Sequence, residues 1–411
     1  MRKNLLYLFA ALLCSACGGK KDALTVTVSN PLNLVREAEM IELSMGEIAE
    51  ALQLADTAQI VVLDDKGNQL DYQITYDDLL IFPATVAANA SATYTIQPGV
   101  SGEVSVKVCG RVYPERLDDM AWENDLVGFR AYGPALQAKG ERGFGYDLFT
   151  KRDTDVPVLE EMYALECDPK NWEKYRELLK KDAEEAEKWK KAISYHVDHG
   201  YGMDCYAVGP TLGAGVASLM DGEEIIYPWC YRECEVLDNG PLRFTARLTF
   251  SPMTVRGDST VVETRLISLD RGQHLNRTVV SYSNLKETLP ITAGVVMHDT
   301  IGSVRACAEE GYLAYEDPTT GPDQGKIFVG CAFPTTIDSA REVRFAEADR
   351  KNHGNAYGHV QAFTHYEPGS DFVYYWGFGW DRADMKDFAT WDTYMKQSAE
   401  KLRRPLEVKI D

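Results

Sequence analysis

The 411-residue chain carries 43 Lys and Arg against 63 Asp and Glu, a formal charge of −20, and 45% of its residues are hydrophobic. That share builds ordinary globular cores, and the length calls for more than one. The charge excludes free-standing binding to nucleic acid or to an anionic membrane surface, because the long-range field repels phosphate; an anionic ligand must find a local arginine.

Residues 1–16 read as a secretory signal peptide: a charged start at Arg2 and Lys3, an apolar run over 5–13, and small residues before Cys17. The run is too short to span a bilayer. Cys14-Ser15-Ala16-Cys17, with the tether Gly18-Gly19-Lys20-Lys21 behind it, resembles a bacterial lipoprotein box with Cys17 acylated. The expected location is therefore outside the cytoplasm, lipid-anchored at the periplasmic or outer-membrane surface, with membrane contact through the lipid only.

Residues 24–108 hold short segments rich in Val, Ile, Thr and Tyr at 25–28, 40–43, 59–63, 72–75, 79–82, 92–96 and 103–108, separated by turns such as Asp65-Lys66-Gly67-Asn68. Seven such segments without a long helical pattern predict a small immunoglobulin-like β-sandwich. The block Trp122-Glu123-Asn124-Asp125 follows, then strand-like alternation that sets Arg130 among apolar neighbours. A charge in such a run needs a partner. Arg130 is a candidate clamp for a substrate carboxylate, with Asn124 beside it and Glu123 as acid or base; a structural Arg–Glu pair explains the same pattern.

Asp168 as cap, Pro169 at the first helical position and the spacing of Trp172, Tyr175, Leu179, Ala186, Trp189 and Ile193 predict one long helix over 169–193. It leads into Tyr195-His196-Val197-Asp198-His199-Gly200-Tyr201-Gly202-Met203-Asp204-Cys205-Tyr206, which holds two of the seven histidines. Histidine titrates near neutral pH, a carboxylate can orient it, and glycine permits turns that expose side chains. His196 or His199 is the candidate base, Asp198 or Asp204 its orienter, and Tyr206 or Glu123 the acid. No cofactor is expected, although a divalent metal at His196 and His199 is conceivable from the residue types.

Beyond residue 205 strands follow one another. Asn239-Gly240 marks a hairpin between 231–237 and 242–250, and further strands are expected at 261–269, 273–282, 291–298, 326–333, 341–347, 357–366 and 372–378. So many antiparallel segments predict a large two-sheet domain over 109–411 with a concave groove. Arg243, Arg247, Glu263, Arg265, His274 and Asn276 are read as lining one face, with cross-strand pairing as the plainer account. Tyr374-Tyr375-Trp376-Gly377-Phe378-Gly379-Trp380-Asp381 suits the apolar faces of sugar rings, with Trp380 and Asp381 as a wall beside the site. His298, His353, His359 and His365 are read as structural unless the fold gathers them near His196. Cys230 and Cys234 have metal-like spacing but no second pair. Outside the leader and Cys17, seven cysteines remain, so at least one is unpaired. Gly213-Ala214-Gly215 lacks a βαβ setting, and no Gly-x-Ser-x-Gly, P-loop or His-Glu-x-x-His occurs, which disfavours dinucleotide enzymes, esterases of that type, nucleotide hydrolases and zincins.

The Trp122-Glu123-Asn124-Asp125 block with Tyr132-Gly133-Pro134, together with the motif over 195–206, resembles domain of unknown function family 4861. The resemblance implies a galactose mutarotase-like supersandwich and association with loci that degrade plant or algal uronic-acid polysaccharides. It supplies no catalytic residues. The expected protein is thus mainly β: a small sandwich, then a large antiparallel supersandwich with one long helix. Its expected activity is proton transfer on uronate-containing oligosaccharides of lyase, epimerase or mutarotase type; the alternative is a non-catalytic glycan-binding lipoprotein.

Overall fold

A computed structural model describes residues 21–55, 58–152 and 157–411. The signal peptide and Cys17 lie outside the described residues. Two compact units divide the chain, the first comprising residues up to Val104 together with Arg404–Asp411, the second Ser105–Arg403.

In the first unit, one sheet runs Glu407–Ile410, Leu24–Ser29, Ser91–Pro98, Ile60–Leu63, Gln69–Leu70, and the other Arg36–Ser44, Leu79–Val86, Gln73–Ile74. Alternation decides which side chains meet: Val26, Val28 and Ile96 of one sheet and Ile41, Leu80 and Phe82 of the other share one apolar core. The helix Met45–Leu52, not expected from the sequence, starts where the Ser44 hydroxyl accepts the Glu47 N–H, and it buries Ile48 and Leu52. Two boundaries differ from the sequence reading. Residues 103–108 form no strand, and Glu407–Ile410 pairs with Leu24–Ser29, so the last strand belongs to the small unit rather than to a domain running to residue 411.

The second unit is built on a nine-stranded antiparallel sheet whose main order is Tyr231–Asn239, Arg243–Phe250, Asp258–Asp270, Leu275–Ser283, Phe372–Trp380, Ile327–Ala332, Tyr312–Asp317, Val304–Cys307. Two five-stranded sheets cover one face of it. From the first, Trp122 donates its indole N–H to Asn276 Oδ1 at 2.7 Å and meets Trp376 edge-on at 6.3 Å. From the second, Ala217 donates its N–H to the Tyr374 hydroxyl at 3.2 Å. The opposite face carries the helix Phe388–Arg403, whose Trp391, Met395 and Ala399 pack on Leu275, Tyr312 and Phe328.

This layering fills the expected concave groove. Tyr374, Trp376, Phe378 and Trp380 alternate inward and are at most 1% exposed, so their periodicity records core packing. Arg243, Arg247, Glu263, Arg265, His274 and Asn276 do not share a face. Leu248 and Arg265 are register partners on the core side with Glu263, whereas Arg243 pairs with Asp270 and Arg247 with Glu235 on the other side.

The expected long helix is two, Pro169–Leu179 and Ala183–Ile193. Asp182 interrupts the run because its carboxylate accepts the N–H groups of Glu184 and Glu185 at 3.0 and 3.1 Å, starting a new helix. Glu184 and Lys188, one turn apart on the second of these helices, pair at 2.9 Å.

Candidate functional site

The motif over 195–206 leaves the helix Ala183–Ile193 and folds back on itself. Tyr195 is buried against Phe149 and Tyr163, and its carbonyl accepts the Asp204 N–H at 2.9 Å. Asp198 accepts the N–H groups of Gly200 and Gly202 and takes the Arg152 guanidinium at 2.6 Å. Gly202 has φ +120°, and a Cβ there would stand 1.8 Å from the Thr150 carbonyl oxygen, so only glycine lets this segment pair with Asp147–Lys151.

The closed loop lays His196 over Asp204. His196 Nδ1 is 3.1 Å from the Asp204 carbonyl oxygen and 3.7 Å from its carboxylate. A carbonyl only accepts, so Nδ1 carries a proton and the lone pair of the neutral ring is on Nε2. The His196 side chain is 56% exposed while that of Asp204 is 3% exposed, which puts the base at the surface and its orienter inside.

Behind Asp204 lies a buried charge network. The Arg130 guanidinium reaches Asp204 at 2.9 Å, makes its tightest contact with Asp147, and sits 4.0 Å from Asp119. Tyr132 donates to Asp147 at 2.8 Å, and Tyr195 accepts from Arg116 at 3.0 Å. Three carboxylates thus face two guanidiniums. Burial, with the neighbouring Asp147 charge, pushes the Asp204 carboxyl up to about 6 despite Arg130. Burial likewise pushes Asp119 up to about 6, and its Oδ2 has no hydrogen-bond partner among the described residues.

Tyr206 turns to a second pair. Its ring meets His298 edge-on at 5.3 Å, and His298 Nδ1 lies 2.5 Å from Asp317. Burial disfavours charge on His298, but the Asp317 charge, its hydrogen bond and the Ala207 carbonyl outweigh burial and raise the imidazole pKa. Asp317 and the Ala207 carbonyl both favour the protonated ring, and they hold His298 as a partner of Asp317 rather than as a free base. Tyr206 is 5% exposed, so its hydroxyl stays inside.

The other candidates are placed elsewhere. Glu123 is paired with Lys151 and accepts the N–H groups of Val158 and Leu159 at 3.0 and 2.9 Å, which makes it the anion at the N-terminus of the helix Val158–Glu166. Asn124 has every polar atom engaged, donating to the carbonyls of Asp270 and Gln273 and accepting from Leu126 and Val127. Arg130 is 3% exposed and committed to aspartates, so the carboxylate-clamp reading is replaced by a structural one. His199 Nε2 meets the Ser194 carbonyl at 3.1 Å and stands apart from the network. Trp380 is buried with its indole N–H on Gln324, yet Arg152 lies over its ring at 5.1 Å, so Trp380 and the adjacent Asp381 do come next to the Asp198 loop. Among the described residues no group of three His, Cys, Asp or Glu side chains is arranged to hold a metal ion, and all seven cysteines are free thiols. Sequence reasoning missed Asp147, Asp119 and Arg152, which stand in apolar or turn-like text without a motif around them.

A mainly β protein of two units, with one exposed histidine backed by a buried aspartate–arginine network, is the class that fold and site define. The chain belongs to the family described as Domain of unknown function (DUF4861), which it matches over residues 28–408. A relative from Formosa agariphila, Uncharacterized protein P7, is 27% identical over 427 residues, covering 99% of this chain and 98% of its own. Among solved structures, a protein in the glycosyl hydrolase family 38 from Enterococcus faecalis matches with a TM-score of 0.45 at 9% identity, over 95% of this chain and 48% of its own. An alpha-mannosidase from Enterococcus faecalis V583 matches with a TM-score of 0.47 at 9% identity, over 96% of this chain and 46% of its own. The chain spans about half the length of these two structures.

Proposed function

We propose that this protein is an exported carbohydrate-active enzyme that moves a proton on uronate-containing oligosaccharides, with His196 as the base. The observation that carries the reading is the His196–Asp204 contact: a fixed Nδ1–H, an available Nε2 and more than half the side chain open to solvent. In its neutral form a ring held in that tautomer presents Nε2 to take a proton from carbon or oxygen.

A uronate brings an acidified C5–H only when its carboxylate is neutralised. In a chain of net charge −20 that requires a local cation. Arg152 supports this role: its side chain is 37% exposed and it is held by Asp198 in the loop that carries His196. In an elimination His196 Nε2 takes the C5 proton, the C4–C5 double bond forms as the C4–O bond breaks, and the imidazolium returns the proton to the leaving oxygen. In an epimerisation water delivers a proton to the opposite face of C5 instead, and the imidazolium gives its own proton to the resulting hydroxide.

Incubation with pectic and algal oligosaccharides, read by the absorbance of unsaturated uronate and by NMR, tests the reading. Turnover that falls by about a hundredfold or more in His196→Ala supports it; wild-type protein that alters none of these substrates removes it. Export with acylation of Cys17 is part of the same proposal. Labelling with a fatty-acid analogue, present in the wild type and absent in Cys17→Ser, checks it.

A further inference from the structure

The network behind His196 ends at Tyr132, and Tyr132 also lines a narrow slot in the second unit. Phe144, Trp229, Gln137 and Arg265 form its other walls. The open volume is about 20 Å³, room for roughly one small polar group rather than a whole sugar ring.

Two features make this a built recess. Arg265 is 1% exposed, its Nε held by Glu263 and its Nη1 3.2 Å from the Tyr146 hydroxyl, while its Nη2 has no hydrogen-bond partner among the described residues. Gln137 is 5% exposed, and its Oε1 is likewise unpartnered. A buried guanidinium N–H and a buried amide oxygen in one recess leave a donor and an acceptor unsatisfied, an arrangement that a bound polar group corrects. The walls are closely packed. Phe144 stacks on Tyr227 at 4.8 Å, and a Cβ on Gly143 would lie 2.1 Å from the Tyr132 ring, so that ring occupies the space a side chain would need.

At the edge of the slot Trp229 is 53% exposed, one of the few large hydrophobic side chains so open to solvent. Tryptophan beside a polar recess suits a ligand with an apolar face and a polar group projecting from it. We infer that this slot is a second carbohydrate-binding site that seats the carboxylate of an acidic sugar on Arg265, with a hydroxyl donating to Gln137 and the sugar ring lying on Trp229. The choice of an acidic sugar rests on the proposed function, whereas the slot stands on its own geometry. It is a different place from the base: Tyr132 meets Asp147, Asp147 meets Arg130, Arg130 meets Asp204, and only then comes His196.

Calorimetric titration of the full-length protein with digalacturonate, and with the neutral galactobiose, tests it. Binding of digalacturonate is expected to weaken about tenfold in Trp229→Ala and several-fold in Gln137→Leu, to persist in His196→Ala, and to exceed that of galactobiose about tenfold. Trp229 is exposed, so its variant is expected to keep the wild-type melting temperature. Unchanged affinity in Trp229→Ala, equal affinity for the neutral disaccharide, or no binding of either sugar overturns the inference. Trp229-dependent binding by a protein that turns over no uronate leaves the slot standing and removes the proposed catalysis, so the two failures are distinguishable.

Discussion

His196 Nδ1 and the Asp204 carbonyl oxygen are 3.1 Å apart, so a backbone group sets the tautomer of the exposed imidazole while the carboxylate of the same residue reaches inward to Arg130. Asp204→Asn separates the two functions. The carbonyl survives and keeps Nε2 as acceptor, but the negative charge that steadies the imidazolium is gone. Turnover is expected to drop by less than in His196→Ala, and the ratio of the two kcat values measures how much the carboxylate contributes.

Asp119 is the surplus charge of the network, since Asp147 and Asp204 already balance Arg130 and Arg116. Its carboxyl sits at about 6 in the folded protein against an ordinary 3.8. Between those values the folded state holds more protons than the unfolded one, so this group makes stability fall as pH rises from about 4 to about 6; the penalty is complete above that window and absent below it. Asp119→Asn keeps the oxygen that accepts the Gly133 N–H and removes the charge. Its melting temperature is expected to exceed wild type at pH 7, by a stability of up to about 3 kcal/mol, and to match it near pH 4.

Glu123→Gln leaves the Lys151 ammonium buried without its counter-charge and weakens the anion at the helix Val158–Glu166. The loss is expected to be on the order of 3 kcal/mol in denaturant titration. Activity per folded molecule is expected to stay at wild-type level, because this carboxylate faces a helix end and not a substrate.

Asp182→Ala removes an exposed cap with no tertiary role. A cost of about 1 kcal/mol is expected, seen as a small shift in the urea midpoint with turnover unchanged.

Features written in nearby residues were legible in the sequence. The Asp168-Pro169 helix start and the Asn239-Gly240 hairpin appear where local chemistry puts them, because a cap or a tight turn is decided within four residues. The alternation around Arg130 correctly required a partner, but the aspartates that answer it lie 17 and 74 residues further on, in text whose Asp147 reads as one more strand position. The aromatic run over 374–380 misled for the opposite reason: alternation states that one set of side chains shares a face, not whether that face meets water or another sheet. The helix break shows the same limit. Asp182 had the residue type of a cap, and the apolar spacing on both sides masked it.

Proton transfer by His196 is tested most directly by incubating uronate oligosaccharides with the protein in D₂O and reading the products by mass and NMR. The expected result is deuterium at C5 or a new C4–C5 double bond, with both lost in His196→Ala. Substrates recovered with neither change from wild-type protein at stoichiometric concentration, or changes that persist in His196→Ala, would contradict it.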